Sequence, residues 1–188
     1  MRLTPINPAE LNERQQALYK DINEGIEKNF KSFVAKNGDG ALLGPFNTMV
    51  QFPQFGAALW DYNKALSANS TLSKSVREVA ILVVGAKFSA RYEIYAHEHI
   101  SRAIGMPEHQ IASLSTGQRP VDLSEQENLA FDIASAITKG GQLPESVHNL
   151  AIASFGNNGF AELIQLIGCY TLISFLLNAY DIPVPDAG

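Results

Sequence analysis

This sequence of 188 residues is short of three things: thiols, clustered basic charge and uninterrupted apolar runs. Its one cysteine, Cys169, excludes an intrachain disulfide and a CxxC redox couple. Its place in an apolar stretch reads as a small buried hydrophobe. Lys and Arg number 14 against 19 Asp and Glu, a formal net charge of −5, and the basic residues are scattered. A nucleic-acid footprint needs a clustered basic face, and a membrane-surface helix needs a basic amphipathic stretch; neither is present. The most apolar stretch, 160–177, is interrupted by Glu162, Gln165, Thr171 and Ser174. It reads as a buried helix near a subunit interface rather than a membrane span. The opening MRLTPINPAELNER lacks the apolar core of a secretory leader. A cytoplasmic location, with no nucleic-acid or membrane partner, is the expectation.

Strand signals are scarce, and low-complexity segments, linkers and exact repeats are missing, so a single all-α domain over 1–188 is expected. Hydrophobic residues at 46% and charged residues at 18% are ordinary for a globular chain, which places disorder only at the ends. Asn7-Pro8-Ala9-Glu10 reads as a helix start, followed by Leu11, Leu18, Ile22 and Ile26 at helical spacing. The segment 29–45 is the least regular and contains the turn Asn37-Gly38-Asp39-Gly40. Pro53 opens a helix with Phe55, Leu59, Tyr62 and Leu66 on its apolar side. Ser75-Val76-Arg77-Glu78 fits a capping box, and the apolar run Val76–Val84 reads as a buried helix, with a strand as the competing reading. Ser89 is positioned to cap a helix from Ala90 to Ile104, stopped by Gly105. Pro107 starts a short helix, Ser124-Glu125-Gln126-Glu127 is a second capping box, and Pro144 opens a helix to Phe155. Gly156-Asn157-Asn158-Gly159 reads as a turn before a last helix, 160–180.

The acid–base candidates gather in Glu93-Ile94-Tyr95-Ala96-His97-Glu98-His99. On a helix Glu93 and His97 stand at i,i+4 and share a face, whereas His99 points elsewhere. A carboxylate one turn from an imidazole holds its tautomer and raises its proton affinity, as a general acid or base requires. The same spacing also occurs in plain solvated helix contacts. Glu78 has two readings: a capping residue, favoured from the pattern alone, or a carboxylate of raised pKa on an apolar helix. Glu78, Glu93 and His97 together suit a divalent ion, but a His97–His99 spacing of two serves joint ligation poorly. No metal or other cofactor is expected.

The stretches Arg77-Glu78-Val79-Ala80-Ile81-Leu82, Tyr92-Glu93-Ile94-Tyr95-Ala96-His97 and Ala103-Ile104-Gly105-Met106 resemble the carboxymuconolactone decarboxylase family, within the alkylhydroperoxidase D-like superfamily. Gly44-Pro45-Phe46-Asn47, Pro53, Phe155-Gly156, Glu162-Leu163 and Tyr170 extend the likeness over nearly the whole chain, with its core at 75–106. The resemblance implies an alkylhydroperoxidase D-like helical bundle and a homo-oligomer, a trimer or hexamer, with a dimer open for longer members. Cysteine-bearing relatives carry a glutamate, then CxxC, then a histidine; these positions fall on Glu78, Ala90, Glu93 and His97. Both thiols are therefore missing, and disulfide exchange has neither attacker nor resolving partner.

The resemblance to the decarboxylase branch implies a cofactor-free carboxy-lyase acting on a small anionic lactone or keto acid of aromatic catabolism. Loss of CO2 leaves a carbanion or dienolate that must be stabilised and protonated. On this reading His97 donates or shuttles the proton, Glu93 orients it, and Glu78 is a second pocket carboxylate. Arg77 or Arg91 holds a substrate carboxylate, with a structural ion pair as the competing role for Arg77. Tyr92, Phe46 and Asn47 complete the expected substrate site, the last two brought over it by a lid at 31–45. An alkylhydroperoxidase-type antioxidant and a non-catalytic oligomeric binding protein are the alternatives.

Overall fold

The structure, a computed structural model, describes residues 1–185. Among these residues it is all-helical, with no strand beyond an isolated antiparallel bridge between Lys36 and Leu42. The helices are α1 (Glu13–Asn29), α2 (Gly44–Gln51), α3 (Pro53–Ala68), α4 (Lys74–Phe88), α5 (Arg91–Ala103), α6 (Glu108–Ser115), α7 (Glu125–Ile137) and α8 (Glu145–Ala179).

Apolar spacing decides how each helix lies. In α1, Leu18, Ile22 and Ile26 recur one turn apart and are buried, so this helix presents one stripe inward. Its start is not at Asn7, which caps only a 3-10 turn over Pro8–Glu10. The helix begins one step later, where Asn12 and Gln15 exchange side-chain-to-backbone bonds in a capping box. In α4 every residue from Glu78 to Gly85 is buried. The run is rich in β-branched residues yet helical, because α4 is surrounded by α5, α6, α7 and α8 and must be apolar all round. The expected box at Ser75 is absent: Ser73 is the N-cap, its Oγ accepting from Val76 N at 3.3 Å. Glu78 therefore lies in the second turn and has no capping role. The expected box at Ser124 is present, Glu127 reaching back to Ser124 N at 2.8 Å.

Ser89 does not cap α5. It ends α4 in the left-handed conformation, φ 53°, a corner that lets α5 turn back along α4 within two residues. In α8 the helical path breaks at Gly156, φ 67° and ψ 176°. The expected turn is thus a single-residue kink between two helical halves. By length and composition α8 is apolar enough to cross a membrane. In this fold it runs through the core against α4 and α7, burying Leu163, Leu166, Ile167, Ile173 and Leu177 and leaving Leu150, Leu172 and Phe175 exposed.

The buried side chains form two clusters. One joins α1, α2 and α3 through Ile22, Ile26, Val50 and Trp60; the larger surrounds α4 and includes Tyr92, Ile133 and Leu166. Phe33 and Leu59 pack against both. The segment 30–43 crosses this junction as a strap. Two hydroxyls of α5 latch it: Tyr92 donates to Val34 O at 2.9 Å, and Val34 N donates to Tyr95 Oη at 3.1 Å. Gly44, at φ 60°, ends the strap where a Cβ would lie 2.2 Å from the Tyr92 ring.

Candidate active site

The Ser89–Ala90 corner sets α5 beside α4, and this juxtaposition assembles Glu78, Glu93 and His97. His97 Nδ1 lies 2.7 Å from Glu78 Oε2, and Nε2 lies 3.2 Å from Glu93 Oε1. The imidazole is thus held between two carboxylates. The closer, orienting partner is Glu78, not the i,i+4 neighbour Glu93. Ser101 Oγ stands 3.5 Å from Glu78 Oε2, at the limit of a hydrogen bond. The edge of one ring meets the face of the other between His97 and Tyr170, with centroids 5.0 Å apart.

All three ionisable groups are buried, at 7%, 3% and 6% exposure for Glu78, Glu93 and His97. Burial by itself disfavours the imidazolium, but Glu78, by attraction and hydrogen bonding, and then Glu93 outweigh it and raise the His97 pKa to about 10. At neutral pH the imidazole held between Glu78 and Glu93 is therefore protonated. Glu93 Oε1 approaches Nε2 too far off the N–H direction to accept a well-formed hydrogen bond, and it has no other partner among the described residues. It is a buried acceptor left unsatisfied, costly unless it serves a ligand or water.

The array opens on a cavity of about 40 Å³ at the junction of the two apolar clusters, enough for a few water molecules. Phe30, Phe33, Phe46, Trp60, Tyr92 and Tyr170 form much of its wall. Polar lining comes from Asn63, Glu93 and His97. Burial, with the Glu93 and Glu78 carboxylates, pushes the Tyr170 phenol well above its usual range, so it stays protonated. Burial and the Glu93 charge push the Cys169 thiol up to about 12, and the side chain is 1% exposed. It offers no thiolate.

The expected substrate residues divide. Phe46 and Tyr92 line the cavity with Glu93 and His97. Asn47 does not: it is buried in a staple between α2 and the N-terminal segment, with Nδ2 donating to Leu3 O at 3.3 Å and Oδ1 accepting from Gln51. Arg77 does not: its guanidinium is engaged by Glu162, Ser70 Oγ and Leu66 O, the structural role. Arg91 does not: it lies on the surface, 70% exposed, 3.5 Å from Asp181. The cavity wall therefore carries no Lys or Arg. No group of three His, Cys, Asp or Glu among the described residues is arranged to hold a metal ion, since the imidazole faces a carboxylate at each nitrogen. Sequence reading missed Phe30, Phe33, Trp60, Asn63 and Ser101; the aromatic pair at the mouth of an irregular segment was the one available signal.

Residues 53–136 match the model of the carboxymuconolactone decarboxylase family. No curated protein sequence matches the chain. Among solved structures, an uncharacterised peroxidase-related protein with an alkylhydroperoxidase AhpD core from Ralstonia eutropha JMP134 superposes with a TM-score of 0.80 at 18% identity, covering 98% of this chain and 92% of its own. A peroxidase-related protein from Silicibacter sp. TM1040 gives 0.78 at 15% identity, covering 99% and 94%. A cysteine-to-alanine variant of the debrominase Bmp8, in complex with 2,3,4-tribromopyrrole, gives 0.75 at 15% identity, covering 99% and 92%. At these identities the structural likeness speaks for the fold. The family match spans α3 to α7, and the solved structures share the alkylhydroperoxidase D-like helical fold along nearly the whole chain.

Proposed function

We propose that this protein is a cofactor-free acid–base enzyme that moves a proton to or from a small conjugated substrate held in the cavity between the strap and α5. The observation that carries this reading is the buried Glu78–His97–Glu93 array, whose outer carboxylate is unsatisfied and lines the cavity. Glu93 is the group that meets the substrate. His97, protonated and anchored by Glu78, supplies a proton from Nε2, whereas a proton withdrawn from the substrate goes to the Glu93 carboxylate, since both imidazole nitrogens already carry one. Glu78 is a positioning residue, because it reaches the cavity only through His97. The resting cavity is smaller than a substrate of this kind, so binding displaces the Phe30–Phe33 wall, the part of the strap beside the tyrosine latch.

The family match supports a more specific second reading, a carboxy-lyase. The C–C bond to the carboxylate breaks, CO2 leaves, the electron pair is delocalised into the substrate, and the array returns a proton to carbon. Thiol-dependent peroxidase chemistry is not proposed, since Ala90 and Glu93 stand at the expected thiol positions and Cys169 is buried and protonated. We also propose that the exposed apolar side chains Leu150, Leu172 and Phe175 of α8 meet a second copy of the chain.

The test is a panel of small lactones, keto acids and hydroxyaromatics, followed for CO2 release and for hydrogen–deuterium exchange at carbon in D2O. His97→Gln and Glu93→Gln are expected to lower turnover by about 10²–10⁴-fold while keeping the fold. Full turnover in either variant would refute the assignment.

A further inference from the structure

We infer that the ligand of this cavity is a neutral, largely apolar ring compound presenting one O–H or N–H donor to Glu93 Oε1, and that free carboxylates are excluded. This rests on the cavity being the proton-transfer site, and it departs from the anionic substrate expected from sequence.

Three observations carry it. First, the wall is mostly aromatic: Phe30, Phe33, Phe46, Trp60, Tyr92 and Tyr170 offer ring faces and edges, which suit a flat apolar guest. Second, Glu93 lines the cavity and is 3% exposed, and its Oε1, 3.2 Å from His97 Nε2, is a buried acceptor with no well-formed hydrogen bond among the described residues. An acceptor is completed by a donor on the guest, and a charged acceptor makes the stronger bond. Third, nothing cationic is free to receive an anion. Arg77 is engaged by Glu162, Arg91 is on the surface, and the His97 ring faces Glu78 on one side and Glu93 on the other. With both imidazole nitrogens already facing Glu78 and Glu93, a third carboxyl group buried here would have no counter-charge, and its desolvation would go uncompensated. The remaining polar groups of the wall are the Asn63 amide and the hydroxyls of Tyr92 and Tyr170, and neutral groups do not replace a cation for an anionic guest.

The probes are phenol, its methyl ether anisole, and benzoate, which share a ring and differ in one group. Binding is followed by calorimetry and by perturbation of ring and methyl signals in NMR spectra, so no turnover is needed. Phenol is expected to bind at least about tenfold more tightly than anisole, the scale of one hydrogen bond to a charged acceptor. Benzoate is expected to bind weakest. In Glu93→Gln the phenol-to-anisole ratio should shrink, and benzoate should gain relative to phenol because an amide replaces the carboxylate. That rise in benzoate also reports that the variant is folded. Equal binding of phenol and anisole, preference for benzoate, or no detectable binding of any probe would overturn the inference. Preference for benzoate would leave the proton-transfer reading standing and favour the carboxy-lyase form of it. Loss of the His97 and Glu93 dependence of turnover would sink that reading while leaving the binding order intact.

Discussion

An imidazole buried between two carboxylates ties stability to pH in a direction opposite to that of most buried histidines. In the folded protein burial lowers the His97 pKa, but Glu78 and Glu93 outweigh it and the net value is raised to about 10, against 6.5 for a free imidazole. A raised folded-state pKa gives stability that is fully present below the unfolded value and is lost as pH climbs through the folded one. The window runs upward from pH 6.5 toward 10, and inside it each pH unit removes at most about 1.4 kcal/mol. Moving from pH 7 to pH 9 is therefore expected to cost roughly 2–3 kcal/mol, a sizeable part of the ~5–15 kcal/mol that holds a domain together. Tyr92, Tyr170 and Cys169 also have raised values. The tyrosines add alkaline loss only at about pH 9 and above, and the Cys169 thiol adds a smaller loss from about pH 8, where each unfolded group begins to ionise. Urea denaturation at pH 7, 8 and 9 measures the slope, and the imidazole resonances of His97 report its titration directly. In Glu78→Gln the strongest favourable influence is gone, so the folded pKa falls and the slope between pH 8 and 9 flattens. Unfolding free energies that stay constant from pH 7 to 9, or His97 resonances titrating near 6.5, would show that the array does not exist as described.

Two further outcomes test neighbouring parts of the fold. Arg77→Ala removes a mostly buried guanidinium, 14% exposed, from the 8% exposed carboxylate of Glu162. Breaking one side of such a pair is expected to cost about 3–5 kcal/mol in chemical denaturation, with the KM of any substrate unchanged, because Arg77 does not line the cavity. Gly44→Ala places a Cβ 2.2 Å from the Tyr92 ring on a backbone with φ 60°, so at least about 2 kcal/mol of destabilisation is expected from overpacking and the left-handed backbone. A thermal midpoint equal to that of the wild type would argue against the close approach of Gly44 to the Tyr92 ring.

Much of the fold is legible in the sequence where one helix face decides the outcome. Leu18, Ile22 and Ile26 announce the buried stripe of α1, and Ser124 with Glu127 announces the start of α7, because both signals are local. Glu78 is illegible for the same reason. Its distance in sequence from Ser75 mimics a cap, while its partner is His97, nineteen residues on, and only the Ser89–Ala90 corner brings them together. The strap is less legible still. Its backbone is held at Val34 by the hydroxyls of Tyr92 and Tyr95, and a loop held by distant side chains shows no periodicity. Phe30 and Phe33, at the start of the expected lid, therefore carry no local sign that they form the wall of the cavity. Arg77 was legible in its structural reading: an arginine on an apolar helix needs a carboxylate nearby, and Glu162 interrupts the apolar stretch of α8.

What Glu93 does follows from comparing it with the thiol that the family resemblance places there. A thiol beside an imidazole is neutral when the imidazole is neutral, so the pair can exchange one proton and leave a nucleophilic sulfur. A carboxylate is already ionised and is a poor reductant, and its charge draws the proton onto His97 and holds it there. The same backbone thus changes from a site that creates a nucleophile into one that stores a proton next to a fixed acceptor. That acceptor faces an aromatic cavity from which Arg77 and Arg91 are both absent. The arrangement suits a guest that brings its own acidic hydrogen, and it gives an anion no counter-charge. The Glu78–His97–Glu93 array and the missing cation therefore point the same way: toward proton transfer with a neutral donor, and away from both thiol redox chemistry and capture of a free carboxylate.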